Sequence, residues 1–143
     1  MKNVPTPVAR AFALACEVRD RAYSPYSKLN VGAVLKLRGQ EEYISGCNIE
    51  NASYGATICA ERSAVCQALS RFGSCEFEFL VLTSSSPSGV IPPCGLCLQV
   101  LHEFVAPEFV IYLGDSQEIL EQCVFSDFFP KTFSKDMLPS PKS

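Results

Sequence analysis

Phe77-Glu78-Phe79-Leu80-Val81-Leu82-Thr83 and Phe109-Val110-Ile111-Tyr112-Leu113 bracket the segment that decides the fold. Both are short and rich in β-branched or aromatic residues. The first is almost continuously apolar, as a buried strand is. Between them lie a loop, Ser84-Ser85-Ser86-Pro87-Ser88-Gly89, and a helix predicted from Pro93-Cys94 to Val105. Strand, helix and strand in that order predict a parallel pair with a right-handed crossover.

Working outward, Val8, Phe12, Ala15 and Ala22 recur at helical spacing and predict a first helix from Pro7 to Ala22. Ser24-Pro25 punctuates the chain after it. Val31 to Leu37 and Tyr43 to Cys47 read as a hairpin turning near Gly39. The stretch from Asn48 to Thr57 is irregular, and a second helix is expected from Cys59 to Phe72 with Thr57 as its cap. Ile119 to Val124 fits a strand or a short helix, and residues 134–143 read as a frayed, Pro-rich tail. The sum is an α/β fold in which helices cover a mixed sheet, within one domain spanning residues 1–143.

Composition narrows the function. Hydrophobic residues make up 48% and charged residues 19%, enough for a core and unlike a disordered chain. The net charge is −3 and no Lys/Arg cluster stands out, which argues against a nucleic-acid polymer as partner and for a small, uncharged ligand. Eight cysteines accompany this core. With no convincing export signal and no apolar run of ~20 residues, a cytoplasmic protein with reduced thiols and no membrane contact is expected.

Two motifs carry chemistry: Cys59-Ala60-Glu61 and Pro93-Cys94-Gly95-Leu96-Cys97, each expected at a helix start. Unpaired N–H groups and the helix dipole favour thiolates there. If the two helix starts face one another, three thiolates converge on one Zn²⁺. Three protein ligands leave a position for water, whose pKa zinc lowers towards ~7. A group must still move protons to the base and the leaving amine, and Glu61, two residues from a ligand, is suited to that. Taken alone, the Cys-x-x-Cys fits a redox pair or half of a structural zinc site equally well. Glu61 alone fits a first-turn carboxylate, and Asn48 with Glu50 fits a turn. The remaining cysteines read as small core or surface thiols and His102 as a packing or subunit-contact residue. The aromatic cluster of Phe128, Phe129 and Phe133 suits core or interface.

Gly46-Cys47-Asn48-Ile49-Glu50-Asn51-Ala52-Ser53-Tyr54, Thr57-Ile58-Cys59-Ala60-Glu61-Arg62, Ser24-Pro25-Tyr26-Ser27, Val31-Gly32-Ala33 and Pro93-Cys94-Gly95 with Cys97, Gln99 and Val100 together resemble the small, homotetrameric cytidine deaminases. The likeness runs from Val8 to Phe133. It implies a three-layer α/β/α fold with a mixed five-stranded sheet, and hydrolytic deamination of free cytidine and 2'-deoxycytidine. It also implies zinc on Cys59, Cys94 and Cys97, with Glu61 as proton shuttle. Asn48 and Glu50 would bind the sugar hydroxyls, backbone around Ala60 the base, and Arg62 the zinc thiolates. Phe133 would reach a neighbouring subunit's pocket in a homotetramer with shared active sites, where the Ala52-Ser53-Tyr54 loop is a further candidate lining. Leu29 stands where the family commonly has Phe against the pyrimidine, and Leu98 where Arg is common. These departures keep in view an aminohydrolase for a modified cytosine nucleoside, and the bare motif keeps in view a non-catalytic structural-zinc module.

Overall fold

A computed structural model describes residues 3–139. Five strands form one sheet: β1 (Val31–Leu37), β2 (Tyr43–Cys47), β3 (Phe77–Ser84), β4 (Val110–Gly114) and β5 (Ile119–Val124), in the order β2-β1-β3-β4-β5. β3 and β4 run parallel, and every other neighbouring pair is antiparallel. The parallel pair is the one the sequence predicted, because its connection contains helix α3 (Gly95–His102).

Strand periodicity sorts side chains to two faces. On one face Val34, Phe79, Val81 and Tyr112 pack against Val8, Ala11 and Ala15 of helix α1 (Thr6–Arg19). On the other Ala33, Leu35, Leu80, Leu82, Ile111 and Leu113 pack against Ala60, Ala64, Val65 and Ala68 of helix α2 (Ala60–Phe72), with Leu98 and Leu101 of α3. This is the three-layer α/β/α arrangement expected. Among the described residues no helix is long and apolar enough to cross a membrane.

Several boundaries differ from expectation. Helix α1 ends at Arg19 rather than Ala22, because its last turn tightens: Arg21 N–H and Ala22 N–H donate to the carbonyls three residues back. Tyr23 is then captured by Asn48 and Glu50 backbone. Helix α3 stops at His102 rather than Val105 for the same reason, with Glu103 and Phe104 bonded three residues back. Thr57 does not cap α2; Cys59 holds that position in extended conformation, and Cys94 does the same for α3. The ambiguous segment Ile119–Val124 is a strand, paired with β4. Ser134 does not begin a wholly frayed tail, since Lys135–Met137 form a 3-10 turn; residues 140–143 of that expected tail lie outside the described residues.

Two glycines set how closely the helices approach. A Cβ on Gly32 would lie 2.0 Å from the Ala15 carbonyl oxygen, and one on Gly46 2.5 Å from both the Ala60 oxygen and the Ala64 nitrogen. The small residues Ala60, Ala64 and Ala68 on α2 continue that contact. Gly46 therefore sets the seat of α2, whose first turn carries Cys59 and Glu61. Gly46→Ala is expected to destabilise the protein by about 1–3 kcal/mol, since backbone rather than a flexible side chain must give way. Gly55, with nothing within 4 Å of the added carbon, is the control. Denaturant titration of both variants measures the difference, and equal midpoints would refute the close-packing account.

Candidate active site and metal centre

The starts of α2 and α3 meet beside the C-terminal end of β3, and the motifs of the sequence meet with them. Cys59 Sγ lies 3.6 Å from Cys94 Sγ, which lies 3.5 Å from Cys97 Sγ. All three sulfurs fall within 4.8 Å of one another. A tetrahedral zinc with sulfur at ~2.3 Å places sulfurs about 3.8 Å apart, so the trio fits that ion. Among the described residues it is the one group of three or more His, Cys, Asp or Glu side chains placed to hold a metal, and no fourth side chain joins it. Cys66, Cys16, Cys47, Cys75 and Cys123 stand apart as free thiols. His102 stacks on Phe125 at 6.1 Å and meets Phe129 edge-on, so it packs, as expected.

Charge at the trio is organised from two sides. The Cys59 thiol is pushed down to about 5, first by the neighbouring Cys97 thiol and then by a hydrogen bond from the Arg62 guanidinium. Cys97, fully buried beside Cys59, is held well above the ordinary thiol range. Arg62 Nη2 donates to Cys59 Sγ at 3.5 Å and to the Thr57 carbonyl at 3.0 Å. Its buried Nε has no hydrogen-bond partner. The guanidinium thus sits against the sulfur of Cys59. Three thiolates on Zn²⁺ carry a net charge of about −1, which a guanidinium offsets.

Glu61 is 5% exposed. Burial, above all, pushes its carboxyl up to about 7, and the neighbouring Cys59 adds to the rise. A carboxyl that exchanges a proton near neutrality is what acid–base chemistry at that pH requires.

A cavity of about 210 Å³ opens in front of these groups. Glu61, Cys59 and Cys94 line its reactive end, with Ala60; Asn48, Glu50 and Leu29 also line it. Seven residues singled out in the sequence therefore share one space. Cys97 and Arg62 lie behind the wall. Phe133 does not line the cavity of its own chain: it is 55% exposed, and its carbonyl accepts a hydrogen bond from Gln99 Nε2 at 2.9 Å. Sequence reasoning gave no part in the site to Ser27, Val31, Thr57, Leu82, Ile91 and Pro92, which complete the wall. Ile91 and Pro92 come from the loop before α3, and no local pattern marks them.

The side chain of Asn48 is engaged at both ends. Its Oδ1 accepts from Val31 N–H at 2.8 Å and its Nδ2 donates to the Leu29 carbonyl at 2.9 Å. Asn48 thereby fixes the segment that carries Leu29 into the cavity. A second cavity of about 310 Å³, lined by Tyr26 and Tyr54, adjoins the first and shares Ser27, Glu50 and Thr57 with it.

Comparison with known proteins agrees with this geometry. Residues 6–113 match the family model described as the cytidine and deoxycytidylate deaminase zinc-binding region. The chain is 38% identical over 122 residues to a cytidine deaminase of Halalkalibacterium halodurans, covering 85% of this chain and 90% of that one. It is 37% identical over 131 residues to one from Sporosarcina psychrophila, covering 92% and 94%. The crystal structure of a cytidine deaminase from Burkholderia pseudomallei superposes with a TM-score of 0.80 at 35% identity, over 87% of this chain and 98% of that one.

The raised carboxyl has a thermodynamic consequence. Between its ordinary value of 4.5 and about 7, the folded chain holds a proton on Glu61 that the unfolded chain has released. Stability from this group is therefore complete below the lower value and is lost as pH rises through the upper one. Glu61→Gln removes that loss. In metal-free protein, the melting temperature of the variant relative to the parent should climb from about pH 5 to about pH 8. A difference that stays constant across this range would show that Glu61 is not a buried charge.

Proposed function

The chain belongs to the cytidine and deoxycytidylate deaminase family, and on that premise we propose that it hydrolyses free cytidine and 2'-deoxycytidine to uridine and 2'-deoxyuridine, releasing ammonia. The observation that carries the reading is the buried Glu61 carboxyl at the head of a nucleoside-sized cavity, beside three sulfurs that form a zinc site. Zinc held by Cys59, Cys94 and Cys97 supplies Lewis acidity that eases loss of a proton from water. Glu61 takes that proton and passes it to ring N3, which makes C4 a better electrophile. The water oxygen then bonds to C4, and the same carboxyl carries the remaining water proton to the amine, so that the C4–N bond breaks and the amine departs as ammonia. Glu61 can both accept and return protons because burial holds it near neutrality. Asn48 and Glu50 orient the sugar, backbone at Ala60 holds the base, and Leu29 supplies an apolar wall. Arg62 tempers the charge of the sulfurs.

A nucleoside suits this site better than a nucleotide. Among the described residues lining either cavity there is no Lys or Arg, while Glu50 presents a carboxylate to both. A phosphate on the sugar would meet that negative charge without a counter-ion.

We read the active unit as a cytoplasmic homotetramer with shared sites, built from a single catalytic domain. Tyr23, Tyr26, Ile49, Tyr54 and Ile58 are all exposed apolar residues. Backbone bridges join Tyr23 to Ile49 and Ile49 to Ile58, and the rings of Tyr26 and Tyr54 lie 5.7 Å apart. A contiguous apolar patch at the mouth of the cavity is suited to a second copy of the chain. Phe133, also exposed, would in this reading enter a neighbour's site. A reducing compartment keeps the three ligand thiols free.

Two measurements test these readings. Zinc-loaded protein should bleach the cytidine absorbance with stoichiometric ammonia release, and should act far more slowly on the corresponding monophosphates. Glu61→Gln should keep its zinc and lose more than about 10²- to 10⁴-fold in kcat; near-parental turnover would exclude the shuttle. For the assembly, Ile49→Asp should lower the mass seen by light scattering together with kcat/KM. A parental protein that is monomeric and fully active would refute the shared site.

A further inference from the structure

We propose that Ser27 is a positioning residue for the Glu50 carboxylate, with a hydroxyl proton that the fold commits to that carboxylate. The proposal rests on the reading of Glu50 as the group that receives the sugar hydroxyls.

The argument begins with what the hydroxyl can do. Serine has one O–H to donate and lone pairs to accept with. Ser27 Oγ accepts the Leu29 N–H at 3.0 Å and lies in hydrogen-bond contact with Glu50 Oε1. An ionised carboxylate only accepts, so the O–H of Ser27 points to Glu50. The other oxygen, Oε2, accepts the backbone N–H of Tyr26 at 2.9 Å and of Ser27 at 3.2 Å. Backbone donors alone hold one oxygen and leave the carboxylate free to turn about it. The Ser27 hydroxyl holds the second and defines its plane. The lone pairs that remain belong to a side chain lining the nucleoside cavity.

The backbone supports this use. Lys28, between Ser27 and Leu29, has φ +60°, the left-handed region; among the described residues it is the one non-glycine residue found there. Strained conformations persist where the surroundings enforce them, and they cluster at ligand-binding segments. Here the turn returns Leu29 N–H to Ser27, and the Lys28 N–H bonds the Ser24 carbonyl at 3.1 Å. These contacts hold Glu50 in the ionised form: its carboxyl sits below the ordinary range, chiefly through the Ser27 hydroxyl. A carboxylate oriented before binding loses less freedom when the sugar arrives.

The test is steady-state kinetics of the zinc-loaded protein with cytidine and with 2',3'-dideoxycytidine, which lacks the hydroxyls in question. Ser27→Ala should reduce kcat/KM for cytidine about 10-fold through KM, the size of one hydrogen bond to a charged group. On the dideoxy substrate, variant and parent should agree, and Ser27→Thr should restore cytidine turnover. An equal loss on both substrates would mark general damage to the turn and overturn the proposal, as would no loss on either. Glu50→Ala with the same pair separates the premise from the proposal. If that variant loses equally on both substrates, the sugar reading of Glu50 fails. If it discriminates while Ser27→Ala does not, the assignment of Ser27 alone fails.

Discussion

Two helix N-termini pointed at one spot would repel each other unless negative charge lay between them. Each presents unpaired N–H groups and the equivalent of roughly +0.5 charge. In this fold the starts of α2 and α3 converge, with Cys59 and Cys94 in the capping positions. Neither helix has a side-chain cap of the ordinary kind there. Thiolate sulfur at the helix starts answers that positive charge, and a bound divalent ion lets three such sulfurs share a small volume. The metal site and the packing of the helices are thus two sides of one electrostatic constraint. Arg62 adds a cation from the α2 side, which balances three sulfurs against the ion they hold.

Glu61 depends on the same geometry. In its first turn α2 already faces the sheet, so Glu61 is buried there along with Ala60, Ala64 and Val65. A carboxyl in that setting resists ionisation, and a neighbouring thiolate increases the resistance. The shuttle's proton affinity therefore follows from how α2 sits on β2, where Gly46 lets the two backbones touch.

The sugar side of the cavity is built on different terms. It is a turn, residues 24–31, held by hydrogen bonds from the strand end opposite it. Asn48 grips Leu29 and Val31, while Glu50 grips Tyr26 and Ser27. Residues two apart along an extended segment reach the same side, so Asn48 and Glu50 can act together on one turn. The wall that faces the base and the groups that face the sugar are consequently one hydrogen-bonded unit, and Leu29 owes its position to polar neighbours rather than to its own packing.

Much of this was legible in the chain itself. Alternation and helical spacing depend on neighbours in sequence, so four of the five strands and the three main helices could be read from it, as could the two Cys motifs and the acid within the first; Ile119 to Val124 stayed open between strand and helix, because its pairing with β4 decides it. Helix ends were less legible, because tight last turns and the capture of Tyr23 by Asn48 and Glu50 depend on distant backbone. Ser27 stood in a quoted motif without a role, since nothing local shows that its hydroxyl meets a carboxylate 23 residues away. Ile91 and Pro92 carry no pattern of their own. The sequence by itself determined which atoms were available for metal binding and proton transfer, because side-chain chemistry is a property of residue type. Only the tertiary structure decided that sulfurs 35 positions apart lie 3.6 Å from each other and that Glu61 is buried beside them. Distance and dielectric environment are set by how the helices seat on the sheet, and no single segment contains that information.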